Sequence, residues 1–229
     1  MEQITRYALY YAPPPGPLAD RSAGWLGWDL LDSRPAEFPM GLSLPQPLAQ
    51  LTAGARKYGF HGTLKPPFRL APGSCAQALH DACNLLCADL APVVTNGLHL
   101  HMIDGFLALV PHGPLDALNH LAAAVVRRLD PHRAPLTEAD IARRHPDRLT
   151  DRQRMLLAEW GYPYVMEEFR FHLTLTDRLT KAQQDEILPF ARAWFDPVLP
   201  VPFVIGDLCL CGEGADGRFR LLHRYPLSG

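Results

Sequence analysis

Two histidines in near-identical surroundings carry the clearest chemical signal in this chain. His61 lies in YGFHGTLKPPF and His172 in FRFHLTLTDRL, 111 residues further on, and each sits in a Phe-His-x-Thr-Leu pentapeptide. Given ten histidines, nine threonines and 48% hydrophobic residues, a His-x-Thr-apolar string is expected roughly 0.2 times by chance. It occurs twice, in matching contexts. Histidine titrates near neutrality, so two of them in one site can act as a base that removes a proton and an acid that returns one. The hydroxyls of Thr63 and Thr174 suit the oxygens of a phosphate. An in-line displacement at phosphorus uses such a set: one histidine activates water or a ribose hydroxyl, the other protonates the leaving oxygen, and the threonines hold the non-bridging oxygens. That scheme calls for no metal or cofactor.

Strands are the elements that would position these groups. Side chains alternate across a strand, so His61, Thr63 and Lys65 share one face while Phe60, Gly62 and Leu64 share the other. In the second copy Arg170, His172, Thr174 and Thr176 oppose Phe169, Phe171, Leu173 and Leu175. Each pentapeptide is followed by a capped helix. Ser74 to Gln77 and Thr180 to Gln183 have capping-box spacing, and Pro189 is expected to kink or shorten the second helix. Residues 6–12 read as a strand, 19–47 mostly as loop, 48–56 as a short helix and 98–110 as a bent strand or hairpin. Residues 115–129 read as an amphipathic helix, and 203–211 with 219–225 as a terminal hairpin. Residues 131–161, rich in Arg, Asp and Pro, read as a helical insertion or connection within one domain spanning 1–229, with a capped helix from Thr150 that ends at Gly161.

Composition narrows the classes of function. At 229 residues the chain can bury a substantial core, and a net charge of -2 gives no basic face for a long nucleic acid. A small phosphorylated substrate fits, and a short RNA end remains open. The five cysteines form no disulfide pattern, and the sequence shows neither a signal-peptide pattern nor a membrane-length apolar run. These features point to a cytoplasmic protein without membrane partners; the oligomeric state is left open.

The pair His61-x-Thr63 and His172-x-Thr174 resembles the 2H phosphoesterase superfamily, which includes RNA 2',3'-cyclic phosphodiesterases and RNA ligase-like enzymes. The wider context FHGTLKPPF, WGYPYV and FRFHLTLT resembles a branch associated with bacterial phosphonate utilisation. The resemblance implies an α+β fold of two pseudo-symmetric lobes. Each would be an antiparallel sheet with outer helices, and together they would enclose a central cleft. It also implies one catalytic half-site per lobe: His61 and Thr63 from one, His172 and Thr174 from the other. The activity so implied is metal-independent hydrolysis of a small cyclic phosphodiester, a nucleotide or sugar cyclic phosphate. A non-catalytic binder of phosphorylated ligands, using the same cleft, is the alternative; intact His and Thr in both copies favour the enzyme.

Other residues have two readings. Arg170 and Lys65 could neutralise phosphate charge or form surface ion pairs. Tyr7 or Tyr11, and Tyr162 or Tyr164, could line a base or sugar pocket or pack in the core; Tyr7 and Tyr164 are the candidates taken forward. His99 and His101 share a strand face, but no third ligand has metal-site spacing, so no metal is assigned. Arg143, Arg144, Arg148, Arg152 and Arg154 read as a solvated helical face or as a phosphate-binding lid over the cleft.

Overall fold

The computed structural model of the chain describes residues 3–39 and 46–229. Its strands are β1 (Arg6–Tyr11), β2 (Trp28–Asp29), β3 (Arg34–Pro35), β4 (Gly62–Phe68), β5 (Val93–Thr95), β6 (Gly97–Ile103), β7 (Phe106–His112), β8 (Leu173–Thr174), β9 (Phe203–Ile205), β10 (Asp207–Glu213) and β11 (Phe219–Pro226). Its α-helices are α1 (Pro17–Leu26), α2 (Leu48–Leu51), α3 (Ala76–Ala88), α4 (Asp116–Leu129), α5 (Glu138–Ala142), α6 (Asp151–Trp160) and α7 (Lys181–Phe195).

Seven strands form one antiparallel sheet in the order β11-β10-β1-β4-β8-β7-β6. The architecture is α+β. The sheet divides naturally into β11-β10-β1-β4 and β8-β7-β6, each half ending on its own pentapeptide strand. The two ladders are joined edge to edge at the pair Gly62↔Leu173. The two pentapeptides therefore meet at the middle of a single sheet.

Alternation along the strands decides what each face holds. Tyr7, Leu9 and Tyr11 of β1 lie in the main core with Leu64, Leu107, Leu109 and Leu173, under Leu79 and Leu86 of α3, Leu121 and Val125 of α4, and Ile187 of α7. Burying each such aliphatic side chain is worth about 1.5–3 kcal/mol, so this face anchors the fold. The even residues Ala8, Tyr10 and Ala12 face the other way, into a smaller cluster with Cys209, Cys211 and Phe219. The histidine site lies on this second side of the sheet.

Capping follows the sequence at Thr150 and Thr180, each of which makes a full capping box with Gln153 or Gln183, and α6 ends at Gly161 with φ 75°. At α3 the cap is Cys75 instead of Ser74. The Cys75 sulfur accepts from the Ala78 N–H at 3.5 Å, whereas Ser74 Oγ pairs with His132 Nδ1 at 2.8 Å. Part of the stretch read as loop, 19–47, is helix α1. Pro17 starts it at a position whose N–H needs no partner, and Gly27 closes it with φ 73°. Residues 40–45 of that reading lie outside the described residues. Helix α7 runs through Pro189 to Phe195 and is not shortened there. Residues 203–205 leave the expected terminal hairpin to pair as β9 with β5. Residues 131–161 carry α5 and α6 and border the site. Among the described residues, no helix is long and apolar enough to cross a membrane.

Candidate active site

The site is built by one register. Gly62 and Leu173 are Cα partners across β4 and β8. Stepping one residue each way along antiparallel strands puts Thr63 opposite His172 and His61 opposite Thr174. Side chains directly opposite stand about 4.5–5.5 Å apart at Cβ, and diagonal neighbours about 7–8 Å apart at Cα. The four side chains thus form a rectangle on one face, with the histidines on one diagonal and the threonines on the other. Gly62 is what allows this register. A Cβ at that position would overlap the Phe171 ring, which packs from the core side.

Each imidazole is held in the same way. His61 Nδ1 is 2.9 Å from the carbonyl of Gly59, and His172 Nδ1 is 2.8 Å from the carbonyl of Arg170. A carbonyl only accepts, so Nδ1 carries the proton in both rings. Nε2 is left as the working nitrogen. Gly59 has φ 69°, a conformation that costs a side-chain-bearing residue more and that turns its carbonyl toward the ring. His61 Nε2 lies 3.0 Å from Thr63 Oγ1, and in this tautomer the hydroxyl donates to it. Among the described residues no hydrogen bond between His172 and Thr174 mirrors this one.

Burial sets the protonation state. It pushes His61 down to about 4, opposed by the bond to Gly59 and reinforced by the charge of His172. Burial also lowers His172, opposed by the bond to Arg170. Both rings are therefore neutral at pH 7 in the free protein. The Tyr10 ring lies against His61 with centroids 3.8 Å apart, and Tyr10 is opposite Thr63 in the β1–β4 ladder. The Tyr10 hydroxyl is buried without a hydrogen-bond partner.

Beside the rectangle opens a cleft of about 520 Å³, lined by Thr63, His172, Arg170, Phe106, Tyr162 and Tyr164 among others. Arg170 is exposed on its rim, and Tyr164 is 47% exposed. Two of the residues singled out in the sequence lie elsewhere. Tyr7 belongs to the main core on the opposite face, as does Tyr11; the tyrosine on the site face is Tyr10, one strand position out of phase with both. Lys65 does not line this cleft, and neither do His61 and Thr174. The β1–β4 ladder slips between Leu9 and Tyr10, so that Lys65 stands opposite the core residue Leu9. Its ammonium runs to α4, 3.1 Å from the Val126 carbonyl and 3.2 Å from Asp130. A bulge of this kind breaks the two-residue alternation from which a shared face was inferred. Phe106, 5.4 Å from the His172 ring, and Tyr58, 6.0 Å from the His61 ring, join the site without any local sequence signal. Among the described residues no cluster of three metal-ligating side chains is present.

A family model described as "Protein of unknown function (DUF1045)" matches residues 63–220. The chain belongs to this family. It is 39% identical over 235 residues to a protein of Janthinobacterium sp. (strain Marseille) named ribose 1,5-bisphosphate phosphokinase PhnN, covering 100% of this chain and 52% of that one. A protein of the same name from Laribacter hongkongensis (strain HLHK9) is 37% identical over 221 residues, covering 94% of this chain and 50% of its own. The chain thus spans about half the length of the curated relatives it matches. Among solved structures, E. coli LigT complexed with 3'-AMP is similar at a TM-score of 0.44 and 14% identity, covering 99% of this DUF1045 chain and 100% of the other.

Proposed function

We propose that this DUF1045 chain is a phosphodiesterase that opens a small cyclic phosphodiester by paired-histidine acid-base catalysis, with Thr63 and Thr174 holding the phosphate. The observation that carries this reading is the register around Gly62 and Leu173, together with the commitment of both Nδ1 atoms to carbonyls. Two Nε2 atoms and two hydroxyls then converge on one tetrahedral centre. His61, the more strongly depressed of the two, is the base: its neutral Nε2 takes a proton from water as the water oxygen bonds to phosphorus. His172, protonated when the anionic substrate binds, gives its Nε2 proton to the departing sugar oxygen as the P–O bond breaks. Thr63 releases His61 when its hydroxyl turns to a phosphate oxygen. The resemblance of the two motifs to the 2H phosphoesterases supports the same reaction.

The names of two longer relatives support a substrate class within this reading. Both are about twice the length of this chain and carry the name of an enzyme acting on ribose 1,5-bisphosphate. A cyclic phosphate bridging O1 and O2 of ribose 5-phosphate, opened at O2 by water, yields that compound. A cyclic phosphate of a ribose phosphate, in phosphonate metabolism, is therefore the favoured substrate. The test is purified protein in EDTA with 2',3'-cyclic nucleotides, ribose cyclic phosphates and linear diesters, followed by phosphorus NMR. Turnover of a cyclic diester is expected. Ligand binding without turnover of any diester would leave only a phosphate-binding protein.

A further inference from the structure

A second cavity, of about 240 Å³, lies beside the histidine cleft and is lined by six cationic residues: Arg6, Lys65, Arg69, Arg133, Arg143 and Arg144. Their carboxylate partners are fewer. Asp130 is shared by Lys65 and Arg133, Asp140 by Arg69 and Arg143, and Glu213 serves Arg6. Arg144 has no carboxylate partner among the described residues; its guanidinium lies 4.7 Å from the Tyr162 ring centroid. Six positive charges against three negative ones leave an excess of three around one cavity, in a chain whose net charge is -2. A concave site lined by one sign of charge focuses its field and attracts anions. Burial also pulls the Lys65 ammonium down to about 8, with Asp130 opposing, so an arriving anion would restore its proton affinity.

The two cavities adjoin. Pro66 lines both. Tyr58 lines the basic cavity and stands 6.0 Å from the His61 ring, while Tyr162, under Arg144, lines the histidine cleft. Along β4, Lys65 is two residues from Thr63, which corresponds to about 6.6 Å of strand.

We infer that this basic cavity is a second anion site that binds a phosphomonoester carried by the substrate, and that it selects cyclic phosphodiesters bearing such a group over those without one. The inference rests on the phosphodiesterase reading and adds to it the recognition of a second, non-reacting phosphate. Guanidinium groups forming two-pronged hydrogen bonds to a dianion are suited to this. Binding energy gained there holds the reacting diester in place over the histidines.

The experiment compares ribose 1,2-cyclic phosphate with and without a 5-phosphate, using the parent chain and the exposed-arginine variants Arg143→Ala, Arg144→Ala and Arg144→Lys. The phosphorylated substrate is expected to have a kcat/KM at least 10²-fold higher. Each alanine variant should lower kcat/KM for that substrate at least tenfold more than for the unphosphorylated one, and Arg144→Lys should recover part of the loss. Equal rates for the two substrates, or equal losses on both, would overturn the inference. Direct binding of ribose 5-phosphate by calorimetry separates this outcome from failure of the phosphodiesterase reading. If neither cyclic compound is hydrolysed, weaker binding to Arg144→Ala with unchanged binding to His172→Ala still supports the anion site. Unaltered binding to Arg144→Ala would refute it.

Discussion

Gly62 of β4 faces Leu173 of β8, and this one pairing joins the two halves of the sheet and sets His61 diagonally across from His172. The two copies of the pentapeptide thereby lie side by side, with each histidine opposite the threonine of the other copy. Two His-x-Thr strands on separate surfaces would do no joint chemistry. Antiparallel pairing about the residue between them brings the two copies onto one face, as the proposed reaction requires.

Replacing either histidine by alanine should lower turnover of a cyclic diester by about 10²–10⁴-fold, the usual contribution of general acid-base catalysis. The double replacement should cost little beyond the worse single one, because the two groups act as a unit. Thr63→Ala and Thr174→Ala should be milder. Thr63→Ala also removes the hydroxyl bonded to His61 Nε2 at 3.0 Å in the free protein, so it should free that nitrogen as well as remove a phosphate donor. Steady-state kinetics on the purified variants decides this, and turnover surviving both histidine replacements would place catalysis elsewhere.

Gly62→Ala tests the register itself. The added methyl would overlap the Phe171 ring, so either the ring or the strand junction must move. Overpacking of this kind costs about 1–3 kcal/mol. A lowered Tm is expected, with a loss of kcat/KM larger than stability alone explains, because the Thr63 to His172 spacing widens. An alanine variant with unchanged activity would show that the junction is looser than the ladder indicates.

The placement of the two pentapeptides on one sheet face was legible in the sequence because a strand has period two. The apolar faces of the pentapeptides follow from that alternation, and the start of α7 at Thr180 from capping spacing, whereas α3 is capped by Cys75 and not by Ser74. What escaped depends on register between strands distant in sequence. The position of Tyr10 against His61 requires knowing that β1 pairs with β4, and the departure of Lys65 from the histidine cleft comes from a slip in that ladder. Phe106 and Tyr58 arrive from a hairpin and a loop with no motif of their own. The arginines of residues 131–161 were visible as a charged run. Only the fold divides them, setting Arg143 and Arg144 in a cavity with Arg6 and Arg69 while Arg152 pairs with Glu167 at the surface.

Tyr10 offers a separation of packing from polarity. Its ring supports His61 at 3.8 Å between centroids, while its hydroxyl is buried and unbonded. An unsatisfied buried hydroxyl costs about 1–3 kcal/mol, so Tyr10→Phe should leave stability unchanged or raise it and keep most activity. Tyr10→Ala removes the ring as well and should cost about 3–5 kcal/mol, with activity lost as His61 is freed to rotate. Thermal unfolding and kcat measured on the two variants should diverge; a phenylalanine variant as damaged as the alanine one would mean that the hydroxyl has a partner when substrate binds.

The pH dependence follows from the depressed histidines, and its sign can be worked through. His61 titrates near 4 in the folded chain, against about 6.5 when unfolded. Between these values the unfolded chain binds a proton that the native chain does not, so stability rises with pH across that window. The contribution is fully present above 6.5 and is lost as pH falls to 4, by an amount on the order of 1–3 kcal/mol. His61→Gln should flatten the slope of ΔG against pH between 4 and 6.5, as measured by urea unfolding at a series of pH values. The same shifts predict the rate profile. In the free protein His61 must be neutral and His172 protonated, so kcat/KM should rise through about 4 and fall below the ordinary histidine value of about 6.5. An optimum on the acid side of neutrality is expected. The falling limb of kcat should lie higher, because the bound phosphate favours protonated His172. An optimum above pH 8 for kcat/KM would contradict the assignment of His61 as base and His172 as acid.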